Sequence, residues 1–171
     1  MPASTPKYSW PYPSGTDRVM DGDNAMGALG TAIEDTLTAI LGRLAPVSAQ
    51  LAAAAPITGS AAAPQDLAVS HVFTPATNEV WLGIGLFEFV VTSTGAVTNA
   101  HGVVDIDGAA GSAGAFGADL LNMRAVTTAL HVATVAGGAP HTAKLRTYKL
   151  GAAGMQVQPA NTRLYLIRIP T

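Results

Sequence analysis

Cysteine is absent from the 171 residues, which excludes disulfides, zinc-thiolate sites and thiol catalysis. Charge is scarce as well: Asp, Glu, Lys and Arg make up 12% of the chain, about half the usual share. What charge there is forms no basic stripe. Residues 1–45 carry five acids against three bases, and residues 46–171 carry six of each. Neither nucleic acid nor a membrane surface is therefore expected as a partner. Aromatics are few, at 6%, so the core is not built on large rings. The longest uncharged stretch, Leu44 to Gln65, contains Pro46, Pro56 and Pro64 and is otherwise mostly Ala, Ser and Gly. That is linker composition, not a membrane span, which needs about 20 strongly apolar residues. Residues 1–13 are polar and Pro-rich and lack the apolar segment of a signal peptide, so export by the usual route is not expected.

Small apolar residues are abundant. Hydrophobic residues reach 49%, largely Ala and Val, and there are 18 glycines. This texture suits tight β turns and close chain approach. A surface so poor in charge is also expected to be partly covered by other subunits.

Four parts follow along the chain: 1–22, 23–51, 52–65 and 66–171. Residues 1–16 (MPASTPKYSWPYPSGT) hold four prolines and the rings of Tyr8, Trp10 and Tyr12. Proline disfavours helix and points to an extended arm. The rings either fill pockets on a partner, as Trp and Tyr do at interfaces, or fold back on the following helix. Docking is the preferred reading, through Tyr8, Trp10, Pro11, Tyr12 and Pro13. A helix is expected over 23–51, capped by Asp21, Asp23 or Asn24. Met26, Gly30, Ile33, Leu37, Ile40 and Leu44 recur at steps of 4, 3, 4, 3, 4, and Val47 and Leu51 continue the rhythm past Pro46. That alternation is a heptad seam for partner helices, compatible with three strands although so few layers do not fix the number. Gly27, Gly30 and Gly42 weaken the isolated helix by about 1 kcal/mol each relative to Ala, so it needs an assembly to persist. Residues 52–65 read as a spacer.

From Asp66 the pattern turns to strands separated by Gly-rich turns, which indicates an antiparallel β-sandwich or jelly roll. Val80 to Thr92 (VWLGIGLFEFVVT) is apolar on both parities and is expected to be buried on both sides, for instance at a subunit interface. Further strands are expected over Leu67–Phe73, Val97–Ile106, Asn122–Val135, Thr142–Leu150 and Arg163–Ile169, with Asp107-Gly108 as a turn.

Candidate chemistry fails on spacing. His71, His101, His131 and His141 show no local metal-ligand pattern. Asp105-Ile106-Asp107-Gly108 and Asp21-Gly22-Asp23-Asn24 resemble calcium-loop fragments without the remaining ligands, and read as a turn and a helix cap. Gly83-Ile84-Gly85 has Glu88 where a dinucleotide loop needs its third glycine. Glu88 is the odd acid on an apolar strand and most simply pairs with a base on a neighbouring strand. A hydrolytic dyad of Glu88 with Asp105 or Asp107 is the remaining enzymatic alternative. The expectation is no enzyme, no cofactor and no metal.

Tyr8 to Leu37 (YSWPYPSGTDRVMDGDNAMGALGTAIEDTL) resembles the N-terminal segment of small virion proteins from tailed phages of actinobacteria. Val103–Gly108, Ala136–Leu145 and Arg163–Ile169 resemble pieces of the jelly-roll heads, similar to complement C1q and tumour necrosis factor domains, found on such proteins. The resemblance implies a homotrimer on the virion, assembled in the host cytoplasm. It would be a decoration protein held by its arm on the major capsid protein, with the sandwich outward. The alternative is a minor tail or fibre protein on tail proteins, whose head binds a host-surface glycan or receptor.

Overall fold

A computed structural model describes residues 3–4, 11–12, 19–44, 46–95, 98–118 and 120–169. The chain divides into two units, Met1–Ala45 and Pro46–Thr171. In the first, β1 (Ala3–Ser4) pairs antiparallel with β2 (Pro11–Tyr12), so the chain reverses between them, and β2 lies against α1 (Val19–Leu44). Within α1, Thr31 and Thr36 donate their hydroxyls to the carbonyls of Gly27 and Ala32, which satisfies two polar side chains without leaving the helix.

The helix departs from its expected bounds at both ends. It starts at Val19, which puts Asp21, Asp23 and Asn24 inside its first turns, where acids suit the helix dipole, and not at the cap. It stops at Leu44 because Pro46 clashes with helix geometry at the residue before it. Val47 and Leu51 therefore do not extend the seam. Val47 opens strand β3 (Val47–Gln50), and Leu51 is buried in the sandwich core. The expected spacer is likewise structured in part: β4 (Ala55–Pro56) pairs with the last strand, and Ile57 is buried.

The second unit continues with β5 (Gln65–Phe73), β6 (Glu79–Val91), β7 (Thr98–Ile106), β8 (Ala109–Ala110), β9 (Gly114–Ala118), β10 (Arg124–Val135), β11 (His141–Leu150) and β12 (Met155–Ile169). One sheet runs β10-β6-β12-β3, with β4 also on β12; the other runs β5-β11-β7, with β8 and β9 both on β7. All pairings are antiparallel. The connections β5–β6, β6–β7, β9–β10, β10–β11 and β11–β12 each cross from one sheet to the other, which is the jelly-roll arrangement.

Between the sheets lie Val69, Phe87, Phe89, Val104, Leu145, Met155, Val157, Leu164 and Leu166. Phe87 stacks on Phe89, centroids 5.8 Å apart, and occupies space that two glycines leave open. A Cβ on Gly85 would stand 2.7 Å from the Phe87 ring, and one on Gly102 would stand 2.4 Å from it. Gly83 and Gly85 are thus inward packing positions of a strand, with Ile84 between them on the other face.

Candidate functional site

The pleat sorts β6 into two faces. Trp81, Gly83, Gly85, Phe87 and Phe89 point into the sandwich, and Val80, Leu82, Ile84, Leu86 and Glu88 point outward. Register sets the neighbours of the outward set. Leu130 of β10, Ile84 and Tyr165 of β12 form one row, and Val132, Leu82 and Ile167 form the next. Thr134, Val80 and Ile169 follow. Three adjacent strands thereby present a largely apolar surface that no other layer of the sandwich unit covers. Leu130 is 48% and Val132 61% exposed, while the central residues Leu82, Ile84 and Leu86 are half-buried by their neighbours. At ~4.8 Å between strands and ~3.3 Å per residue, the patch spans on the order of 350 Å² of sheet, within the range of the largest apolar patch on a single chain, which is often functional. β6 was expected to be buried on both sides: its inner face is buried, whereas Val80, Leu82, Ile84 and Leu86 on its outer face are only half-buried.

One end of this face is polar. Glu88 is buried, with Oε2 accepting from Asn161 at 3.1 Å and Oε1 3.6 Å from Arg124. Asn161 reaches it because β12 bulges between Gln158 and Arg163, and Thr162 in the bulge accepts the Glu88 amide. Glu88 thus has the cross-strand base that the sequence suggested. The free edge of β10 is also closed. Ser112 donates to the Leu130 carbonyl at 2.8 Å, and a side chain at Gly111 would collide with that carbonyl. This bridge covers the β10 edge at Leu130, which hinders strand addition there.

In α1, Met26 is 60% and Leu37 53% exposed, and Ile33 is half-buried. Ile40 and Leu44 belong to the helix, but their side chains fall outside the described residues. Of the expected docking residues, Pro11 and Tyr12 form β2; Tyr8, Trp10 and Pro13 lie outside the described residues.

The other acids and histidines are spread over the sandwich. His71, His101, His131 and His141 sit on β5, β7, β10 and β11, and no cluster of three metal-binding side chains occurs among the described residues. His101 stacks on Tyr148 at 4.5 Å, and burial holds its imidazole below the usual range. Asp105 and Asp107 are turn and network acids, and Glu88 belongs to the opposite sheet. Sequence reasoning missed one constellation. On the outer face of the second sheet, Arg146 lies 3.1 Å from fully buried Asp105 and 2.8 Å from Asp66, which also takes a hydrogen bond from Lys144. The Lys144 hydrogen bond, with the charges of Lys144 and Arg146, holds the Asp66 carboxyl below the usual carboxylate range. Only the register of three strands brings these residues together, and no local spacing signals it.

No protein-family model matches the sequence, and no curated protein matches it. Among solved structures, similarity extends to an Eiger TNF from S. frugiperda, at 6% identity and TM-score 0.48, covering 75% of this chain and 94% of that one. A structure of infectious bursal disease virus, Gt strain, gives 13% identity and TM-score 0.47, covering 74% of this chain and 33% of that one. A family 35 carbohydrate binding module from Clostridium thermocellum gives 13% identity and TM-score 0.35, covering 70% and 97%. None reaches a TM-score of 0.5, and identities this low say nothing of function. What stands from the chain's own strands is its class: a mainly β, antiparallel jelly-roll sandwich with a helix before it.

Proposed function

We propose that this chain is a non-enzymatic structural protein of a phage particle, a homotrimer that decorates the capsid. The uncovered apolar face of β10, β6 and β12 carries the reading, because such a surface is costly in water and has the composition of an interface. A second copy suits it: the face is uncharged apart from one end, where Glu88 stands beside Arg124 and Arg163, so identical copies need supply no foreign charge. At ~350 Å² the patch is less than half of the ~800 Å² per partner that a stable interface buries. The seam of α1 supplies the remainder. With α1 ending at Leu44 and β3 beginning at Val47, helices that associate hold their sandwiches at high effective concentration. The virion assignment comes from the resemblance of Tyr8 to Leu37, which implies that residues 8–22 bind the particle; of these, the residues before Val19 precede the helix.

A chain lacking residues 1–18 keeps α1 whole, so it is expected to remain trimeric and to lose binding to particles. Truncated protein that still decorates them would remove the anchor from the account. A second reading, a tail protein whose head contacts the host, is favoured by the turn before β10. There Leu120 and Leu121 are exposed on a loop pinned by hydrogen bonds between Asn122, Met123 and Val91. Binding of the intact protein to host cells, lost in Leu120→Ser/Leu121→Ser, would support that reading.

A further inference from the structure

We propose that His141 is a proton-operated clamp, which locks three loops together at one end of the sandwich when its imidazole is charged. The ring opens β11. Its Nδ1 lies 2.5 Å from the Asp107 carboxylate and its Nε2 lies 2.8 Å from the Ala136 carbonyl. Both partners accept hydrogen bonds and neither donates. A neutral imidazole carries one N–H, so it satisfies one of them and sets a lone pair against the other. Only the imidazolium donates to both.

Each partner belongs to a different loop. Asp107 stands in the left-handed turn after β7, at φ 53, and its other oxygen accepts the Thr142 amide at 2.8 Å. The carboxylate is thus aimed before the histidine engages it. Ala136 begins the connection from β10 to β11. In that connection Gly137 donates to the Asn78 side chain and Gly138 to the Pro75 carbonyl, which ties in the loop between β5 and β6. The His141 side chain is 12% exposed, while the Asp107 carboxylate it meets is 44% exposed and open to water. From β5 the group facing it is Phe73, centroid 5.8 Å away, with Trp81 of β6 behind. Behind Trp81, Glu79 accepts from the indole and pairs with Arg168 of β12, and along β11 and β7 the charges are Lys144 and Asp105. Asp107 is the charged group in contact with the ring.

The hydrogen bond to Asp107, then that to Ala136, raise the His141 pKa above 6.5, and the His141 hydrogen bond foremost lowers that of Asp107 below 3.8. The raised histidine contributes stability that is complete below pH 6.5 and is lost as pH rises through its folded pKa. The depressed aspartate contributes stability present above pH 3.8 and lost as pH falls through its own. The clamp is therefore shut in mildly acidic solution and opens towards alkaline pH. It frees first the connection that anchors the end of β10, the strand bearing Leu130 and Val132. The clamp does not depend on how the protein associates.

The test is a proton NMR titration of the full chain, with the His141 ring signal assigned by its loss in His141→Gln. A midpoint above 6.5 is expected, falling towards 6.5 in Asp107→Asn, with the Gly137 and Gly138 amides shifting at the same midpoint. A midpoint at or below 6.5, or glycine amides indifferent to the titration, overturns the proposal. Thermal unfolding gives a second readout. The gap in melting temperature between the native chain and His141→Gln should be widest near pH 5.5 and narrow by pH 9. A gap that does not change with pH also overturns the proposal.

Discussion

Asp105 shows most sharply what single residues contribute here. Its side chain has no exposed surface, yet it sits on the outer side of its sheet, with one oxygen on the Gly108 amide and the other on Arg146. Removing one partner of a buried pair leaves an uncompensated charge, which costs about 3 kcal/mol or more. Arg146→Met is accordingly expected to lower stability by about 3 kcal/mol in urea unfolding, while Asp105→Leu/Arg146→Met recovers much of that loss. Gly102→Ala makes a steric counterpart. Its Cβ would press on the base of the Phe87 ring, and overpacking of this kind costs about 1–3 kcal/mol by the same measurement. Asp105 stood out in the sequence only as part of a turn or a dyad, and Gly102 and Arg146 did not stand out at all. Glu88 did, because an acid on an apolar strand needs a partner, and Arg124 is that partner. Asp105 and Arg146 are 41 positions apart and meet only through the pairing of β7 with β11.

The proposed association rests on strands and helix. Substituting Lys at Val132 places charge on an already exposed position of β10, so the sandwich should fold unchanged while self-association weakens at least tenfold in sedimentation dilution series. Unchanged association in Val132→Lys would take the sheet face out of the interface. Leu37→Asp in α1 acts on the seam alone, and is expected to lower oligomer mass while leaving the β-rich circular dichroism spectrum intact. At this scale most of the fold was legible. Period-2 alternation located β6, β11 and the end of β12, and Asp107-Gly108 marked its turn. The misplaced boundaries have a common cause. The heptad rhythm runs through Pro46 without interruption in side-chain polarity, but the proline ring breaks the backbone, so Val47 joins β12 as a strand. Ala-rich 52–65 looks like a spacer by composition. Leu51 and Ile57 nevertheless find places in the core that local sequence does not reveal.

For the molecule as a whole, the proposed self-association would account together for low charge, an open apolar sheet face and an apolar helix seam. A lone chain would expose Met26, Leu37, Leu130 and Val132 together. The exposed face was partly legible, since β6 is apolar on both parities. Its width was not, because Leu130 and Val132 of β10 and Tyr165 and Ile167 of β12 join it only by register. Light scattering coupled to size exclusion on the full chain tests the central claim most directly. The account predicts one species at three times the chain mass, persisting on dilution to low micromolar concentration. A monomer that stays soluble across that range would contradict it.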